Sequence, residues 1–143
     1  MRRYRVELVR ESGEGELEET VLRTSADVAR VLRPYFEKSD REMFVVVLVD
    51  AQHRPIGVNV VSIGSLTATV VHPRECFKPA IIGNAAAVLL VHGHPSGCPQ
   101  PSTEDIAITR RLRDAGELLG IRVLDHVIVG DGKHFSFVDE GQW

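Results

Sequence analysis

The sequence predicts a mixed α/β protein, either α+β or a three-layer α/β/α arrangement around a mixed sheet. Three observations predict it. Two runs, "MFVVVLVD" (43–50) and "AAAVLLV" (85–91), are made of apolar residues without polar interruption, as strands covered on both faces are. From Ser102 to Gly120 apolar residues recur at helical spacing, with Ile108, Leu112, Ala115 and Leu119 on one stripe. Strand-like and helix-like segments follow one another without a strict βαβ repeat, so the sheet is mixed.

The elements read in order as follows. "YRVELV" (4–9) and "ELEETVLR" (16–23) flank the turn-rich "ESGEG" and suggest an N-terminal hairpin. Ser25 can cap a short helix with Val28, Val31 and Leu32 on one face, ending near Pro34. "AQHRPIG" turns the chain after the first buried strand and "VNVVSIG" is its partner. "SLTATVV" then leads into "HPRECFKPAIIGN", where Pro73 suits the first turn of a helix. After the second buried strand and the proline-rich "PSGCPQP", Ser102 opens the long helix and Gly120 sits where a C-terminal cap belongs. "IRVLDHVIVGDGKHFSF" ends the sequence as two strands around "GDGK".

A length of 143 residues, with 43% hydrophobic and 26% charged, suits one globular domain and excludes a disordered or repeat protein. The longest apolar run is far short of a membrane span, and "MRRYRVELVR" lacks the apolar stretch of a signal peptide. The expectation is a soluble, cytoplasmic protein with no membrane partner. Cys76 and Cys98, far apart and without a CxxC, are expected as free thiols. A net charge of −3 argues against a surface built to grip phosphates, and Arg110, Arg111 and Arg113, like Arg2, Arg3 and Arg5, read as solvated faces. Exposed edge strands could pair into a dimer, although no feature decides it.

The chemistry is concentrated in "HGHPSGCPQPSTED", residues 92–105. His92 and His94 stand two apart at the end of a strand, point to the same side and can converge on one ion. Asp105 precedes Ile108 by three residues and Leu112 by seven, so it falls on the inward stripe, where a carboxylate needs a partner. Two imidazoles and a carboxylate give zinc three protein ligands and leave a fourth position for water, whose pKa then falls to about 7. Ser102 and Asp105 also match a capping box. Capping alone leaves the histidines unexplained, and Ser102 can do both jobs. The same triad would suit a non-haem iron oxygenase, which the HxH spacing at a strand end makes the weakest reading.

The stretch running through "HPRECF", "HGHPSGCPQPSTED" and "LDHVIVG" resembles the bacterial RadC family within the JAMM, or MPN-plus, metallopeptidases: HxH, seven residues, serine, two residues, aspartate. The resemblance covers about Glu42 to Phe137. It implies a three-layer α/β/α JAMM fold, cytidine-deaminase-like with a mixed sheet, over 41–143, with the hairpin and helix of 1–40 packing on the same domain. It implies zinc on His92, His94 and Asp105, and Ser102 near the oxyanion. Two departures stand out. Gly93 replaces the asparagine usual in RadC proteins, or the serine or threonine of many JAMM peptidases, so a side-chain contact is missing and looser ligand orientation is expected. In place of the helix-hairpin-helix segment usual at the N-terminus of full-length RadC proteins a short hairpin and helix are expected, so a DNA-binding role resting on that segment is not carried over.

Amide hydrolysis also needs a general base, and the candidates are Glu42, Glu75 and Glu104. Glu104 points about 100° away from Asp105, toward solvent. In JAMM peptidases the catalytic glutamate precedes such a strand, and "REMF" is similar to the E-x-F of RadC proteins; the resemblance therefore implies Glu42. Glu75 in "HPRECF" comes second, since an acid early in a helix also favours the helix dipole. Cys98 is expected to line the loop, His53, His72 and His134 to be exposed, and His126 to form a structural pair with Asp125. The expectation is a zinc-dependent hydrolase of amide or isopeptide bonds acting on a peptide or protein. The alternative is a non-catalytic accessory module in DNA repair or recombination, and the charge does not support a nucleic-acid partner.

Overall fold

The computed structural model describes residues 1–9, 20–64 and 71–143. Its elements are α1 (Ser25–Glu37), β1 (Met43–Val49), β2 (Pro55–Ile63), α2 (Pro73–Ile82), β3 (Ala87–Gly93), α3 (Thr103–Leu119), β4 (Arg122–Val129) and β5 (His134–Ser136). The two uninterrupted apolar runs become β1 and β3, both buried at every residue. They pair antiparallel at the centre of a five-stranded sheet of order β2-β1-β3-β4-β5. β3 and β4 are parallel and the outer pairs antiparallel, so the sheet is mixed.

Alternation along the two central strands builds the layers. Phe44, Val46 and Leu48 of β1, with Val88 and Leu90 of β3, pack under α2 and α3 through Phe77, Ala80, Ile108 and Leu112. Val45, Val47 and Val49, with Leu89 and Val91, pack on the other face against Val28, Leu32 and the rest of the inner side of α1. Each such side chain contributes roughly 1.5–3 kcal/mol on burial, so both faces of the sheet have to be covered. One helix on one face and two on the other give the expected α/β/α arrangement. Among the described residues no helix is long and apolar enough to cross a membrane.

Several local expectations change. Residues 4–9 form no strand, and 10–19, the remainder of the expected hairpin up to Thr20, lie outside the described residues, as do 65–70 of "SLTATVV". α1 is capped by Thr24 rather than Ser25. The Thr24 hydroxyl accepts from the Asp27 N–H at 3.1 Å while the Asp27 carboxylate accepts from the Thr24 N–H at 3.0 Å. α1 also continues through Pro34 to Glu37. The proline removes one helical hydrogen bond, but Tyr35 and Phe36 pack on the core beyond it and hold the last turn. In α3 the inner positions are Asp105, Ile108, Thr109, Leu112 and Gly116, and Leu119 is exposed. The returning main chain at Ile121 passes so close under Gly116 that a Cβ there would lie 2.5 Å from its carbonyl oxygen, leaving Leu119 no room inside.

The capping box makes a direct prediction. Thr24→Ala should lower the free energy of unfolding by about 1 kcal/mol in urea titration, and Thr24→Ser should restore it. An unchanged midpoint in Thr24→Ala would show that the cap contributes nothing.

Candidate metal centre

β3 ends where its alternation changes from aliphatic to imidazole. Val88, Leu90 and His92 share the face that looks toward α3, and His92 is fully buried. His94 follows the strand, on the same side. Asp105 reaches them from the first turn of α3, where it is held by the reciprocal cap with Ser102: its carboxylate accepts from the Ser102 N–H at 2.7 Å, and the Ser102 hydroxyl accepts from the Asp105 N–H at 3.1 Å. The capping and metal readings of this pair are therefore compatible. The cap aims the carboxylate. His92 Nε2 lies 3.4 Å from Asp105 Oδ1, and His94 Nε2 lies 3.3 Å from Oδ2. One donor atom from each of the three residues falls within 4.8 Å of the others.

The electrostatics distinguish the two imidazoles. Burial drives the pKa of His92 down to about 4 against the pull of Asp105, so it is neutral near pH 7. For His94 the hydrogen bond to Asp105 outweighs burial and, with the Cys98 carbonyl and the charges of Asp105 and Glu42, raises its pKa. Burial pushes the Asp105 carboxyl up, but His94, His92 and the two Ser102 bonds together pull it below the usual carboxylate range. The centre thus holds an ionised carboxylate against two imidazoles.

Whether these residues fit a metal ion is tested by what their donor atoms lack. His92 Nε2 is buried and has no hydrogen-bond partner among the described residues. An orphaned buried polar atom costs about 1–3 kcal/mol, and this one faces a carboxylate oxygen. A cation between them satisfies both. The His94 Nδ1–H donates to the Cys98 carbonyl at 2.7 Å, which leaves Nε2 to ligate, the arrangement that orients metal-binding histidines generally. The donor set fits a divalent transition metal and leaves the choice of metal open.

Two further side chains stand behind His92. Its Nδ1 is 3.0 Å from His126 Nε2, and His126 Nδ1 is 2.6 Å from the Thr109 hydroxyl, which donates to the Asp105 carbonyl at 2.6 Å. The expected pairing of His126 with the Asp125 side chain is not what holds this ring. The Asp125 carboxylate instead accepts from the His126 main-chain N–H, the Ser136 hydroxyl and the Val138 N–H. Each had a sequence signal: Thr109 lies four residues after Asp105 on the same helix face, and His126 belongs to the "LDHVIVG" stretch of the resemblance.

The remaining candidates are placed as follows. β1 and β3 pair Met43 with Gly93, and continuing that register by one position sets Glu42 opposite His94. Glu75 lies in the first turn of α2, paired with Lys78 at 2.8 Å, which lowers its pKa. Ser102 and Glu104 are exposed. The exposed Cys98 contributes its carbonyl rather than its sulfur. His53 is exposed as expected, whereas His72, which caps α2, and His134, a residue of β5 bonded to Ser25, are half-buried. Arg113 lies over the Trp143 ring at 4.3 Å. Gly93 faces away from the ligands: a Cβ there would lie 2.7 Å from Phe36 of α1, on the opposite face of the sheet. The absent side chain thus removes no contact to the imidazoles, contrary to the looser site expected.

A family model described as the RadC-like JAB domain matches residues 22–142. A UPF0758 protein of Desulfitobacterium hafniense is 47% identical over 121 residues, 85% of this chain and 53% of its own. Another from Pelobacter propionicus is 59% identical over 101 residues, 71% and 44% of the two chains. A third, from Methanosarcina acetivorans, is 47% identical over 115 residues, 80% and 50%. The chain spans about half the length of the curated relatives it matches.

Proposed function

The chain belongs to the RadC-like JAB domain family, and from that premise we propose that it is a zinc-dependent hydrolase of amide or isopeptide bonds in a peptide or protein. The observation that carries this reading is the buried, unpartnered His92 Nε2 facing the Asp105 carboxylate beside His94. Zinc held by His92, His94 and Asp105 would supply Lewis acidity, polarising an amide carbonyl and acidifying water.

The protein's own groups divide the rest of the work. Glu42, across from His94, takes the proton of the attacking water and returns it to the departing amine nitrogen, so that one carboxylate serves as base and then as acid. Ser102 accepts with its oxygen in the helix cap, which leaves its O–H proton to donate to the oxyanion. Asp105, pinned by Ser102, keeps its charge toward the two imidazoles.

Elemental analysis of protein purified without chelator or added metal tests the reading. About one zinc per chain is expected in the wild type, and none in His94→Ala or Asp105→Ala. Wild-type protein that retains no zinc, and takes up none on titration, would remove the catalytic reading and leave the 92–105 loop as a capped turn.

A further inference from the structure

β4 carries an irregularity that decides which way His126 faces. Val88 of β3 pairs with Val123 of β4, but Leu90, two residues on, pairs with His126, three residues on. The extra residue is a bulge, and it reverses the alternation of the strand. Val123 and His126 therefore both face α3, whereas an unbroken strand would have put His126 on the α1 side with the Val127 and Val129 pair taking its place.

Beneath α3 the hydrogen-bonding groups can be accounted for one by one. The Thr109 hydroxyl has a single proton and gives it to the Asp105 carbonyl, which can only accept. Its oxygen must then accept from His126 Nδ1–H. The His126 ring is wholly buried, stacked on Phe137 at 5.0 Å and edge-on to Phe44 at 5.5 Å. Among the described residues its two nitrogens bond Thr109 and His92, neither of them a carboxylate, so a charged ring would be buried without a counter-ion. With its proton on Nδ1, a neutral His126 ring offers a lone pair at Nε2, to which His92 donates from Nδ1. In a neutral His92 that places the single ring proton on Nδ1 and leaves Nε2 bare, 3.4 Å from Asp105 Oδ1. The relay starts at the Asp105 main chain and ends at the imidazole that meets the Asp105 side chain.

We propose that His126 and Thr109 are positioning residues that fix the tautomer and ring orientation of His92, presenting its Nε2 as a ready-made metal ligand. The proposal rests on the reading that His92, His94 and Asp105 hold a metal ion. It concerns how that ion is gripped, not the chemistry done with it.

Two measurements on the full chain test it. Imidazole nitrogen chemical shifts of the metal-free wild type, assigned with His92→Gln, should place the His92 proton on Nδ1. Zinc competition against a chromophoric chelator should show affinity falling about 10- to 100-fold in Thr109→Val and His126→Leu, while Thr109→Ser, which keeps the hydroxyl, stays at the wild-type value. The tautomer measurement needs no variant at those positions, so it decides the matter even where His126→Leu does not fold. A His92 proton on Nε2, or wild-type zinc affinity in either Thr109→Val or folded His126→Leu, overturns the proposal while leaving the metal reading intact. A wild-type chain that binds no zinc sinks the metal reading, and this proposal with it.

Discussion

Glu42→Gln should keep its zinc and lose hydrolysis by about 100- to 10,000-fold, the range that general acid–base catalysis contributes. Glutamine has the size and shape of glutamate but cannot take up a proton. The main chain of Glu42 accepts from the Gly64 N–H at 2.7 Å, and Glu42 directly precedes Met43, which pairs with Gly93 next to His94. Its charge adds to the rise in the His94 pKa. Glu75→Gln provides the contrast. That side chain is exposed and tied to Lys78 and Arg74 on α2, and its loss should leave the rate unchanged. Turnover of a quenched-fluorescence peptide library, measured with zinc content on the same samples, separates the roles. Full activity in Glu42→Gln would place the base elsewhere, and loss of zinc would make Glu42 a ligand.

That His92, His94 and Asp105 come together was legible in the sequence because each depends on one local periodicity. His92 and His94 follow from the two-residue repeat of a strand, and Asp105 from the helical stripe that carries Ile108 and Leu112. The same simple rule explains why β1 and β3, with no polar residue to expose, occupy the centre of the sheet. Which way His126 faces was not legible, because the bulge in β4 inverts the alternation on which such a reading depends. Nothing in "LDHVIVG" marks where the extra residue falls. α1 ran past Pro34 for a similar reason: the compensation comes from Tyr35 and Phe36 packing on strands distant in sequence. Glu42 was preferred to Glu75 on the resemblance alone, because the strand pattern of β1 does not by itself show which residues lie across from Glu42.

Gly93→Asn, which installs the residue usual in RadC proteins, should destabilise this chain by about 1–3 kcal/mol, the usual cost of forcing extra atoms into a packed core. The contact is with the root of the Phe36 side chain. An added Cβ would lie 2.9 Å from Cγ and 3.1 Å from Cβ of Phe36, so turning the ring does not relieve it and α1 itself must shift. α1 is held by more than this contact, since Arg33 donates to the Gly130 carbonyl at 2.6 Å and the next residue, Asp131, donates to the Gly97 carbonyl in the loop after His94 at 2.8 Å. A shift of α1 therefore strains the turn that backs the metal-site loop. Phe36→Ala should cost stability by itself through lost packing, yet in combination with Gly93→Asn it should cost less than the sum of the two by at least about 0.5 kcal/mol. Urea denaturation of the two single variants and the double variant measures that coupling. Additive effects would mean that the chain accommodates asparagine without moving α1. Coupling of the expected sign would make glycine between the histidines a packing requirement of this chain's own helix, with no bearing on how His92 and His94 grip an ion.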